Sequence, residues 1–170
     1  MNTIKYFIYQ YRLLIYATMA IVFSVLIANL VNGFNLQTIL PLFFISLTLI
    51  YIMRTTDDIH DYVADRRKRK KHFLTKNGLM FLLLFLQVVY ISLNFFIYGP
   101  VGGFALLLLG IIFVWEAFPV CKILFLPLSY AIFALIISGE SAFRQYTIWC
   151  YLVILLLISC AFYAYKRGGK

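Results

Sequence analysis

Long apolar runs follow one another along the chain with few polar interruptions. Uninterrupted runs of the length a bilayer requires lie near Leu13 to Val31, Thr38 to Met53, Leu79 to Tyr98, Val101 to Trp115, Val120 to Ser138 and Tyr146 to Tyr165. The second and fourth are short, and either gain length from neighbouring residues or tilt and bury part of their surface. Gly99-Pro100-Val101-Gly102-Gly103 marks a tight turn before the fourth. The pattern predicts an all-α fold: a polytopic transmembrane helix bundle of about six spans, forming a single domain over residues 1–170. No internal repeat and no low-complexity linker divides it. The longest polar interruption, Arg54 to Asn77, reads as a cytoplasmic loop.

Composition agrees with this pattern. Of 170 residues, 64% are hydrophobic and 12% charged, far from the roughly one-quarter charged fraction of soluble domains. The first apolar run covers about 19 residues, longer than the apolar region of a signal peptide, and further runs follow it. It is expected to be the first transmembrane helix.

Charge then supplies an orientation. With the N-terminus inside, fourteen of the fifteen Lys and Arg residues fall on the inner side, and only Arg144 falls outside. Both termini are therefore expected to be cytoplasmic. The net charge of +9 does not point to nucleic acid, because the cations flank apolar runs instead of lining a polar face with exposed aromatics. An anionic cytoplasmic leaflet accounts for them, so membrane lipids are the expected partner and nucleic acid is not. Cys121, Cys150 and Cys160 are isolated from one another and from His, so neither zinc-ligand spacing nor a redox pair is present. They read as small apolar fillers.

The acidic residues carry the candidate chemistry. Six acids exist in the chain, and four fall within nine residues: Asp57, Asp58, Asp61 and Asp65. In a helix these positions share one broad face. Like charges at such spacings repel, by about 3 kcal/mol at 6 Å where the effective dielectric is about 20, so a cation is required to offset them. Hard oxygen ligands in this array suit magnesium, which keeps several waters and bridges one or two carboxylates to the phosphates of a substrate. The alternative is a juxtamembrane helix whose acids are solvated and paired with the adjacent basic run, as in Asp65 with Arg69. The run Arg66 to Lys71 has two compatible roles: a topogenic, lipid-binding signal, and a phosphate clamp in which Arg67 and Arg69 are the candidate diphosphate contacts. His60 and His72 have no partner at metal-site spacing and read as polar surface residues.

Asp57-Asp58-x-x-Asp61-x-x-x-Asp65 resembles the first signature of the UbiA superfamily of intramembrane prenyltransferases, N/D-D-x-x-D-x-x-x-D, in the cytosolic loop after the second transmembrane helix. Downstream, Phe118-Pro119-Val120-Cys121-Lys122 followed by Pro127 is similar to the family's Y-P-x-x-K-R and proline at the start of the fifth helix. The resemblance covers roughly the first two-thirds of a usual member. It implies a bundle in which a magnesium-bound prenyl diphosphate sits at the cytosolic face with its tail among the helices. Asp58, Asp61 and Asp65 carry over as magnesium ligands, and Asp57 takes the family's Asn or Asp position. Lys122 carries over as a basic residue near the diphosphate, and Arg12 stands where the family has Arg-Pro in its first helix.

The chain also departs from the family. The second Asp-rich motif has no counterpart, since Glu116 and Glu140 are the other acids, and the R-P-x-x-S-G after the first motif is replaced by Lys71 to Gly78. The expectation is a shortened prenyltransferase that completes its site as a homo-oligomer or with a membrane partner. The alternative is a non-catalytic membrane subunit or scaffold that binds a prenyl diphosphate or lipid phosphate. Phosphotransferases of nucleotide-activated alcohols also use a membrane-face Asp cluster, but their D-G-x-x-A-R lead-in is missing. Soluble isoprenyl synthases share D-D-x-x-D but not the apolar runs.

Overall fold

The computed structural model describes residues 13–31, 35–67, 74–114, 120–139 and 146–168. Among these the chain is all-α, with five helical segments. They comprise α1 (Leu13–Val31), α2 (Leu36–Arg67), α3 (Lys76–Tyr98) running through a 3-10 helix (Gly99–Ala105) into α4 (Leu106–Val114), α5 (Val120–Ser138) and α6 (Tyr146–Gly168). Two segments, Leu36–Val63 and Lys76–Val114, are long and apolar enough to cross a membrane. Shorter apolar stretches occupy Leu13–Ala28, Ile123–Ser138 and Trp149–Ala161.

Local chemistry explains several boundaries. Thr75 caps α3: its hydroxyl accepts the N–H of Gly78 at 3.2 Å, and its carbonyl accepts the N–H of Leu79 at 2.9 Å. Two helices end where glycine takes the left-handed conformation, Gly99 (φ 61°) after α3 and Gly139 (φ 60°) after α5. Several hydroxyls inside the apolar helices are satisfied by the preceding turn. Thr18 donates to Leu14, Ser24 to Ala20, Thr48 to Phe44, Thr56 to Ile52 and Ser129 to Phe125. Pro41 in α2 and Pro127 in α5 each remove one helical N–H donor.

The expected tight turn before the fourth apolar run is present, but in a different form. A straight helix places residues eight apart at about 12 Å. Here a Cβ on Gly102 would lie 2.3 Å from the Asn94 carbonyl oxygen, so the chain doubles back between them. Regular α-helix resumes only at Leu106, five residues later than the apolar run begins. Gly99 has open space where a Cβ would go, so only its backbone angle constrains it. Gly99→Ala is expected to cost about 1 kcal/mol, read as a fall of about 2–4 °C in the thermal midpoint of the purified protein.

Two compact units are distinguishable. The first gathers the described residues within Met1–Val25 and Leu36–Leu93. In it α1 packs on α2 through an edge-to-face pair, Tyr16 and Tyr51, with ring centroids 6.2 Å apart. The second gathers those within Leu26–Asn35 and Asn94–Lys170. In it α5 packs on α6, with the Tyr130 and Tyr151 rings 6.4 Å apart, and on α4.

The core is mostly apolar, yet several polar side chains are buried with it and many large apolar ones lie outside. Ser24, Ser46, Thr55, Thr56, Asp58, Asn94 and Ser129 are buried, whereas large apolar side chains stand outside. On α3, Leu79, Leu82, Leu86 and Tyr90 form a buried stripe, while Phe81, Leu84, Phe85, Val88 and Phe96 form an exposed one on the opposite side. On α6, Trp149, Val153, Ile154, Leu157 and Ile158 are exposed and Leu155 is buried. A helix apolar on all faces belongs in a protein core or a membrane.

Candidate functional site

The Asp-rich segment is helix, not loop. α2 continues without a break from its apolar part through Arg67. At 32 residues it is about 48 Å long, against about 30 Å of bilayer hydrocarbon. The polar residues therefore stand on a rigid continuation of an apolar helix. Aspartate is a weak helix former, and four in three turns repel one another. An ion pair offsets part of this, and a ring contact ties the next turn to the backbone. The Asp58 carboxylate forms an ion pair with Arg54, 3.4 Å across one helical turn, and the His60 ring Nδ1 lies 3.0 Å from the Thr56 carbonyl.

At 3.6 residues per turn, Asp57, Asp58, Asp61 and Asp65 occupy an arc of about 100°, and Arg54 falls inside it. Their environments differ along that arc. The side chain of Asp58 is 5% exposed, Asp57 is half-buried and Asp61 is exposed. The buried flank continues through Thr55, Ile52 and Tyr51. Asp58 thus points toward the interior of its unit with a cation beside it, and Asp61 toward the outside. An exposed i, i+4 ion pair is worth about 0.3–0.5 kcal/mol, but removing the partner of a buried acid costs about 3 kcal/mol or more.

Thr55 is completely buried, and its hydroxyl has no hydrogen-bond partner among the described residues. It precedes Asp58 by three residues on the same side of the helix. Nothing in the sequence marks Thr55 as different from Thr56, whose hydroxyl bonds the backbone.

Other sequence-predicted residues are placed only in part. Asp65 and Arg67 lie in the last turns of α2, and Lys122 in the first turn of α5, in the second unit. The side chains of all three fall outside the described set, and Arg12 and Arg69 lie outside it altogether. The expected Asp65 to Arg69 pair also falls there. Among the described residues Arg54 pairs with Asp58 in this segment, a relation the i, i+4 spacing of those two residues already carried. His60 is exposed, as expected of a surface residue.

Among the described residues no group of three or more His, Cys, Asp or Glu is drawn together for a metal. Magnesium does not need one. It takes one or two carboxylates and completes its octahedron with water and phosphate oxygens. Asp57 and Asp61, one turn apart on one face, offer hard oxygens with the spacing of helical neighbours. In donor chemistry the residues fit the ion. No family model matches the chain, and neither a curated protein nor a solved structure matches it.

Proposed function

We propose that this chain is a UbiA-like membrane prenyltransferase, with six spans and both termini cytoplasmic. It binds a magnesium-prenyl diphosphate at the cytoplasmic end of α2 and transfers the prenyl group to an acceptor, as a homo-oligomer or with a membrane partner. The observation that carries this reading is the Asp-rich register on one face of an unbroken helix that leaves an apolar stretch: Asp57, Asp58, Asp61 and Asp65. The exposed apolar stripes of α3 and α6 support the membrane placement, since water would penalise them and lipid would not. The one-sided distribution of Lys and Arg supports the orientation.

In this reading Asp58, Asp61 and Asp65 hold the ion, and Asp57, at the family's Asn or Asp position, adds a further hard oxygen. Arg67, Arg69 and Arg12 meet diphosphate oxygens. Magnesium, when bound, supplies stabilisation of the negative charge that builds on the departing diphosphate. The apolar interior shields the isoprenoid tail from water. The second reading, a scaffold that binds a lipid phosphate without catalysis, is favoured by one feature: Arg54 already neutralises one of the four acids.

Equilibrium binding of a labelled prenyl diphosphate to the purified protein in detergent tests the proposal. Binding is expected to require magnesium and to fall about tenfold or more in Asp61→Asn, which preserves shape and removes the charge. Binding that ignores magnesium supports the scaffold, and no binding in any oligomeric state removes both readings.

A further inference from the structure

We propose that Arg54 is the resident counter-cation of this site. It holds Asp58 until a diphosphate draws the guanidinium away, so the divalent cation and the diphosphate bind as a pair and neither binds well alone. This rests on reading the Asp-rich end of α2 as a magnesium-diphosphate site.

The two partners of the ion pair are unequal. Asp58 has a 5% exposed side chain, whereas that of Arg54 is 43% exposed. A divalent ion arriving alone competes with Arg54 for the Asp58 carboxylate and meets its positive charge. A diphosphate arriving alone meets the negative charge of the aspartates. When both arrive, the guanidinium turns to the diphosphate oxygens, for which its planar donor fork is suited, and Asp58 is released to the ion. The Thr55 hydroxyl, buried and unpartnered among the described residues, lies one turn before Asp58 on the same side of the helix.

Manganese is the probe, titrated into the full chain in detergent and read by electron paramagnetic resonance, with and without inorganic pyrophosphate. In the wild type, pyrophosphate is expected to tighten manganese binding about tenfold. In Arg54→Gln, manganese alone binds about tenfold tighter and pyrophosphate adds little. Asp58→Asn gives a second test that does not depend on how Arg54→Gln folds. It is expected to leave the affinity for manganese alone at the wild-type value and to abolish the gain from pyrophosphate. If Asp58→Asn weakens binding of manganese alone as much as Asp61→Asn does, Asp58 was free to ligate and the Arg54 proposal fails while the site stands. Unchanged or weaker manganese affinity in folded Arg54→Gln has the same consequence. Absence of manganese binding in every form, with or without pyrophosphate, overturns the site itself and this inference with it.

Discussion

Replacing Gly102 by valine is expected to remove most of the folded protein. A Cβ at this position would stand 2.3 Å from the carbonyl oxygen of Asn94 and 2.7 Å from its carbonyl carbon. Both are backbone atoms in the last turn of α3, so no side-chain rotation relieves the clash, and the reversal between α3 and α4 has to open. Overpacking a well-packed site costs about 1–3 kcal/mol, and against immovable backbone a branched side chain exceeds that range. Total stabilities are about 5–15 kcal/mol, so the folded population falls steeply. Gly103→Ala is the matched control. Its added carbon would meet only the Phe95 ring, at 3.7 Å, which is ordinary contact. Yield of monodisperse protein and its thermal midpoint read the difference. A Gly102→Val protein that elutes and melts like the wild type would show that the chain does not double back at this point.

That reversal also marks a limit of the sequence. The run Val120 to Ser138 ends where α5 ends because Gly139 takes the left-handed conformation there, and the run Leu13 to Val31 is helical throughout its described length. The Gly99 to Gly103 stretch was legible as a turn, but its depth depends on Gly102 lying against Asn94, eight residues back, and no local propensity encodes such a contact. The end of α2 was ambiguous for a different reason. Aspartates favour loops and caps over helix interiors, and a repelling cluster reads as a polar loop until its offsetting contacts are known. Arg54 was countable as a topological signal, and its i, i+4 relation to Asp58 was also available. What the sequence could not supply is that Asp58 would be buried, which makes the ion pair consequential. The orphaned Thr55 hydroxyl is likewise a product of packing, since its neighbour Thr56 has the same chemistry and a satisfied bond.

The membrane placement leads to the last prediction, which compares one substitution at two places. Val88 is 62% exposed near the middle of α3, and Val63 is 54% exposed on the polar continuation of α2. Were water the solvent for both, arginine at either position would change stability by less than about 0.5 kcal/mol, as at most surface sites. Lipid distinguishes them. Arginine at the centre of a transmembrane helix costs about 2.5–3.5 kcal/mol, because its charge must be hydrated by snorkelling or by thinning the bilayer. Val63 stands past three of the four aspartates and the Arg54–Asp58 ion pair, where, in the proposed placement, a further cation meets acids and headgroups. Val88→Arg is therefore expected to lower the membrane-inserted yield and the thermal midpoint sharply, and Val63→Arg to leave both near wild type. Exposure alone cannot produce that asymmetry, because the two sites are similarly exposed. Equal tolerance at the two sites would mean that the apolar face of α3 meets water, and the case for six spans would lose its main support. Equal damage would place the end of α2 inside hydrocarbon too, where a cluster of aspartates could not remain ionised, and the diphosphate site would fail with it.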